Sequence, residues 1–187
     1  MGALMVEPVT ADRWDDLVAL FGERGAYDGC WCMWWRIPSA EYSEQRGAGN
    51  RVAMRRLVAD DERPGLIAYR DGRPVGWVSV APREEFGRLS RSPTLKAVDD
   101  QPVWSIVCFY VDKSERGTGV GKALVRAAVR HARGHGATIV EGYPREPGEK
   151  WNAAEMFVGA PSWFAANGFE EVARRSERRP IVRRTIR

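Results

Sequence analysis

The stretch from Val103 to Lys122 restricts the folds open to this chain more than any other. Residues 103–112, VWSIVCFYVD, are an apolar run of strand length, rich in β-branched and aromatic side chains. Arg116-Gly117-Thr118-Gly119-Val120-Gly121 follows, and beyond Lys122 the residues Ala123, Leu124, Ala127, Ala128 and His131 fall on one face of a helix. Glycines at 117, 119 and 121 allow a turn whose N–H groups converge, and a helix beginning inside the loop aims the positive end of its dipole at the same point. Such a loop cradles an anion. A Walker loop fits poorly, because Lys122 is followed by Ala123 and not by the Ser or Thr that would hold Mg²⁺. A dinucleotide loop fits poorly as well: Glu141 lies about twenty residues on, but the glycine spacing is not G-x-G-x-x-G.

The rest of the chain reads as one domain spanning 1–187. At 187 residues, with 44% hydrophobic and 10% aromatic content, it can bury a core of its own. The order of elements is a strand over 5–9, a helix carrying Trp14, Leu17, Val18 and Phe21 and ending at Gly25, an aromatic segment over 27–37, and a helix over 51–60. Strands over 66–70 and 75–81 are joined by Asp71-Gly72, a hairpin signal. A polar connection over 83–101 leads to the strand at 103–112. After the glycine loop and its helix come a strand over 137–143, a short helix over 161–167, and a closing hairpin of 169–175 with 181–186.

This order, and the Arg-x-x-Gly-x-Gly pattern filled by Arg116, Gly119 and Gly121, resembles the GCN5-related N-acetyltransferases (GNAT). Phe164-Ala165-Ala166-Asn167-Gly168-Phe169 is similar to a second stretch of that family, Tyr-x-x-x-Gly-Phe. The resemblance implies an α/β fold with a mixed, mostly antiparallel sheet of about seven strands flanked by about four helices. It also implies acetyl-coenzyme A as co-substrate. The pyrophosphate would lie against Arg116, Gly117, Thr118, Gly119, Val120, Gly121 and Lys122. The pantetheine arm would add to the sheet along Phe109, Tyr110 and Val111, with a backbone N–H near Val111 facing the developing oxyanion, and Phe164 would border the coenzyme.

Two departures from the family pattern bear on the chemistry. Phe164 stands where many members have the Tyr that protonates the leaving thiolate, and a phenyl ring has no proton to give. Ser105 stands where some members place a carboxylate base. Glu141 is the candidate base, with Tyr143 beside it on the same side of the strand by the two-residue period. It could equally be a surface or salt-bridged carboxylate, and Asp99 and Asp100 are its rivals.

In the family the segment between the first two helices borders the acceptor. Trp31, Trp34 and Trp35 are therefore the expected acceptor-binding residues, their faces suited to a cation or a flat ring; packing as core is the competing reading for Trp31 and Trp34. Arg83, Glu84, Glu85, Arg88 and Arg91 either shape the acceptor entrance or form a solvated loop.

The expected acceptor is a small-molecule amine. Alternatives are a peptide or protein amino group, or a non-catalytic acyl-coenzyme A sensor. A homodimer is left open. The net charge of +4 comes mostly from arginine, with Arg174, Arg175, Arg178, Arg179, Arg183, Arg184 and Arg187 crowding the last fourteen residues. They alternate with apolar residues and read as a charged hairpin face, so no nucleic-acid partner is expected. No membrane association is expected, since no apolar run approaches the roughly eighteen residues of a span. Cys30, Cys32 and Cys108 are an odd number, with two of them too close for an easy disulfide. The chain is expected to be reduced and cytoplasmic, and no metal is expected, because Cys30 and Cys32 would need two further ligands.

Overall fold

The computed structural model describes residues 2–148 and 153–186. Seven strands form one sheet: β1 (Leu4–Pro8), β2 (Gly65–Arg70), β3 (Arg73–Pro82), β4 (Trp104–Val111), β5 (Ile139–Gly142), β6 (Glu170–Arg174) and β7 (Pro180–Thr185). Their spatial order is β1-β2-β3-β4-β5-β7-β6. Only β4 and β5 run parallel, because α5 (Val120–Gly134) carries the chain back across the sheet between them. The β2–β3 turn has Asp71 and Gly72 at φ of 49° and 78°, the left-handed pair that a tight hairpin requires.

Two cores lie on opposite faces of the sheet. One packs α1 (Trp14–Phe21) and α3 (Ala48–Ala59) on Trp77 and Val107; the other packs α5 on Val78, Val80, Ile106 and Phe109. Among the described residues there are six α-helices where about four are expected. The additional ones, α2 (Ser39–Glu44) and α4 (Gly87–Arg91), each bury a single side chain, Tyr42 and Leu89. Elements this short carry no 3.6-residue apolar period to read. Two helix ends also differ from expectation. α1 stops at Phe21, where Gly22 takes φ 62°, and does not run on to Gly25; α3 begins at Ala48, three residues before 51. The last helix, α6 (Pro161–Ala165), is capped by the turn in which Gly168 has φ 74°.

Strand β4 contains an irregularity that its composition hides. Across β3, Ser79 faces Cys108 and Val80 faces Ile106, so Val107 has no partner. This bulge puts Val107 and Cys108 on the same α1/α3 face and shifts Phe109 and Val111 to the α5 face. A strict alternation would have kept Phe109 on the side of Ser105 and Val107. The β4–β5 ladder also ends early, at Ile106 opposite Gly142. Gly142 is needed there because a Cβ would drive into the Phe164 ring. From Val107 onward β4 therefore has a vacant edge.

The basic end of the chain is largely spent inside the molecule. Arg174 bonds Glu171 and Glu146, Arg175 donates to the carbonyls of Lys96 and Ala97, and Arg184 donates to Asn167 O.

On α5, the His131 ring lies edge-on to Trp104 at 5.8 Å and 4.3 Å from the His135 ring. Burial, reinforced by the neighbouring His135, lowers its pKa from 6.5 to about 4. Between those values the unfolded chain takes up a proton that the folded chain refuses, so stability falls as pH drops from about 6.5 to about 4. Urea denaturation of wild type and His131→Gln across that window should show a weaker pH dependence in the variant; an identical slope would contradict this.

Candidate active site

The glycine loop is held from below by charge. Arg70 Nε donates to Glu115 Oε2 at 2.8 Å, Arg73 Nη2 to Glu115 Oε1 at 3.2 Å, and Arg70 Nη2 to Thr118 Oγ1 at 3.2 Å. Thr118 Oγ1 in turn donates to Glu115 O at 2.8 Å. The loop's own carboxylate is thus turned inward and neutralised, and Arg116 and Lys122 remain exposed above it. Gly117 and Gly119 have φ of 79° and 89°, and open space lies where their side chains would be. Gly121 is required for a different reason: a Cβ there would meet the Trp163 ring. Ala123 N–H makes the bond to Gly119 O that starts the helix, at 3.1 Å. The amides of Val120, Gly121 and Lys122 precede it and are available to an anion.

Over this loop lies a cavity of about 310 Å³, walled on its apolar side by Phe109, Val111, Met156, Phe157 and Trp163. A phosphate cradle, an apolar channel and a vacant strand edge are together what a pantetheine-bearing coenzyme needs. The residues present fit acetyl-coenzyme A.

A second cavity of about 360 Å³ lies toward the α1/α3 face, with Cys108, Tyr110, Trp34, Trp35, Tyr42 and Arg179 in its lining. Phe109 and Phe157 line both cavities. The two spaces therefore share part of a wall, beyond the point where β4 and β5 part. The segment 26–35 reaches this cavity through an irregular backbone, with Trp31 and Cys32 consecutively left-handed at φ of 46° and 57°. It is pinned by Arg36, which pairs with Glu85 at 2.6 Å, and by Trp77 Nε1 donating to Cys32 Sγ at 3.0 Å.

The tryptophans divide. Trp34 and Trp35 line the second cavity. Trp31 is buried, stacked on Trp14 at 5.9 Å and meeting Phe21 edge-on. On the coenzyme side, Phe109, Val111, Arg116, Gly117, Gly119, Val120, Gly121 and Lys122 line the first cavity. The Thr118 hydroxyl turns to Glu115, and the Tyr110 side chain, displaced by the bulge, lines the second cavity. Phe164 is fully enclosed between Phe109 and Phe169, and its neighbour Trp163 lines the first cavity.

Glu141 and Tyr143 lie together on the α1/α3 face, and neither lines these two cavities. Glu141 is 1% exposed and accepts from Arg183 Nε at 2.7 Å, Arg83 Nη1 at 3.2 Å and Tyr143 OH at 2.6 Å. Tyr143 OH is also 2.8 Å from Ser105 Oγ and 2.6 Å from Arg83 Nη1, and burial raises its pKa far above the usual phenol range. Asp99 is gripped by Arg183 at 2.6 and 2.9 Å, and that bonding holds its carboxyl below the usual range. Asp100 stays exposed.

The three cysteines are free thiols. Cys32 and Cys108 lie 3.3 Å apart at the cavity wall, and that contact together with burial pushes the Cys32 thiol up. Among the described residues no group of three His, Cys, Asp or Glu side chains could hold a metal ion. No helix among them is long and apolar enough to cross a membrane.

Sequence reasoning missed Met156, Phe157, Trp163 and the guanidinium of Arg179. Trp163 alone carried a local signal, its place one residue before Phe164 on the same short helix.

Residues 31–149 match the acetyltransferase (GNAT) family. The chain belongs to that family. It is 27% identical over 166 residues to an uncharacterized N-acetyltransferase of Methanocaldococcus jannaschii; the match takes in 89% of this chain but 60% of that relative's length. In fold it is similar to the PaiA N-acetyltransferase of Thermoplasma acidophilum in complex with coenzyme A, with a TM-score of 0.54 and 14% identity over 98% of this chain and 99% of that one. It is also similar to a chain of the NatC complex bound to Gag peptide and coenzyme A, with a TM-score of 0.57 and 12% identity over the whole of both chains.

Two substitutions test this geometry. Lys122→Glu reverses the exposed charge at the cradle without touching the left-handed glycines, so coenzyme A should no longer raise the melting temperature; an unchanged shift would place the coenzyme elsewhere. Glu141→Gln leaves two guanidiniums facing a neutral amide and should cost about 3 kcal/mol in chemical denaturation. Unaltered stability with collapsed turnover at neutral pH would instead make Glu141 a direct participant.

Proposed function

We propose that the chain transfers an acetyl group from acetyl-coenzyme A to the amine of a small molecule by direct attack. The observation that carries this reading is a pair of adjacent cavities that share Phe109 and Phe157 in their linings: one over the phosphate cradle, one walled by aromatic side chains. The second, at about 360 Å³, suits a compact ligand.

In this reading the amides of 120–122, with Arg116 and Lys122, hold the pyrophosphate. The vacant edge of β4 from Val107 to Val111 takes the pantetheine arm. The thioester carbonyl belongs against the backbone of Phe109, the β4 residue common to both cavities, two positions upstream of Val111. Acetyl-coenzyme A supplies an activated acyl group, so the protein's main task is alignment, for which effective molarities of about 10⁵ to 10⁸ M set the scale.

Proton handling falls mostly to water. Asp28 is the one carboxylate among the described residues lining the acceptor cavity, and it is paired with Arg46. Glu141 and Tyr143 are positioning residues, clamping β5 to β4 and β7 just before the strands part. An acceptor ammonium of pKa about 10.4 must give up roughly three pK units, or about 4 kcal/mol, at neutral pH. With no dedicated base, the free-amine fraction limits the reaction.

The test is coenzyme A thiol release over a panel of small amines and short peptides. Small amines should support release, with kcat/KM rising tenfold per pH unit toward the amine's own pKa. Release with peptides alone would favour a peptide acceptor, and a plateau near neutral pH would restore a protein base.

A further inference from the structure

Among the described residues, the acceptor cavity contains a cation without a counter-charge. Its charged lining residues are Asp28, Arg46 and Arg179, and Asp28 pairs with Arg46. Arg179 has no carboxylate opposite it among the described residues. Its guanidinium carbon lies 5.5 Å from the centre of the Trp35 ring, and its Nε and Nη2 are buried with no hydrogen-bond partner. Those two nitrogens form the side-on fork of an arginine. The same fork is filled elsewhere in this molecule: Arg63 Nε and Nη2 take the two oxygens of Asp61 at 3.0 and 3.1 Å, and Arg174 Nε and Nη2 take those of Glu171 at 2.8 and 2.6 Å. A buried charged donor without an acceptor is costly, and a planar fork matches a carboxylate. Burial, with the charge of Arg145 nearby, lowers the Arg179 pKa to about 10, which still leaves it a cation at neutral pH.

The aromatic faces point the same way. Trp34 already carries the Arg88 guanidinium at 3.7 Å, and Trp35 carries Arg179. Each ring expected to attract an ammonium therefore already has one of the protein's own cations beside it, and a polycationic acceptor would enter against them. A ligand that is flat or apolar along the tryptophan wall and anionic at its end satisfies both features.

On the reading that this cavity takes the acceptor, we infer that the acceptor is an amine bearing a carboxylate, which Arg179 binds against Trp35. Arg179 is thus the specificity-determining residue. The amine end reaches the junction at Phe109, and the carboxylate end stays with the guanidinium.

Binding is measured by isothermal titration with phenylacetate and phenylacetamide, which share a shape, differ in charge and contain no amine to react. Phenylacetate should bind wild type at least tenfold more tightly than the amide. Arg179→Met should abolish that preference, and Arg179→Lys should keep part of it, with melting curves confirming that both variants fold. Equal binding of the two ligands, failure of phenylacetate to bind, or a preference that survives in Arg179→Met overturns the inference. Thiol release is then compared for phenylalanine and phenethylamine, where phenylalanine should have the lower KM in wild type alone. A phenylacetate preference that depends on Arg179, with no thiol release from any amine, would sink the acetyl-transfer reading and leave the carboxylate site standing.

Discussion

The parting of β4 from β5 is the feature on which the rest of the structure depends. The two strands pair for three residues and then separate, and each side of that separation has a physical cause. At the closed end, Glu141 on β5 is bridged to Arg83 beyond β3 and to Arg183 on β7, with Tyr143 and Ser105 completing the contacts. At the open end, Phe164 packs where Gly142 has no side chain, and the chain beyond β5 is carried away from β4. A clamp of charge joins the strands at the closed end, and an aromatic ring packs over Gly142 at the point where their ladder ends.

The bulge at Val107 makes the opening useful. Because one residue is left over, neighbouring side chains of β4 serve different chambers: Cys108 and Tyr110 face the aromatic cavity, and Val111 faces the cavity over the glycine loop. Electrostatics separates the chambers further. The only acid of the phosphate loop itself, Glu115, is absorbed by Arg70 and Arg73, so the cradle presents cations and amides. In the other chamber Arg46 pairs with Asp28, and Arg179 has no carboxylate partner among the described residues. The first chamber thus presents positive charge and amides to an anion, and Arg179 brings a cation to the wall of the second.

What could be read in the sequence was what neighbouring residues determine among themselves. The glycine loop, the α5 face and the Asp71-Gly72 hairpin are local, since backbone conformation and helical period arise within a few residues. The family order of strands and helices was legible for the same reason. The bulge was not, because a one-residue surplus leaves composition unchanged and exists only relative to β3. Nor was the clamp: Arg83, Glu141 and Arg183 are brought together by the register of four strands. Trp31 could not be told from Trp34 and Trp35, because left-handed residues at 31 and 32 break any period by which their directions could be assigned. Arg179 looked like one more residue of a basic hairpin until the fold brought it to Trp35.

The central claim is that coenzyme and acceptor occupy opposite faces of the sheet and meet at Phe109. A crystal structure of the complex with coenzyme A tests it most directly. The account predicts pyrophosphate oxygens on the amides of residues 120–122, the arm along the vacant edge of β4, and the thiol between Phe109 and Phe157, facing the aromatic cavity. A coenzyme lying along the arginines of α5 and β7, or one bound in the cradle with its thiol directed away from that junction, would contradict it.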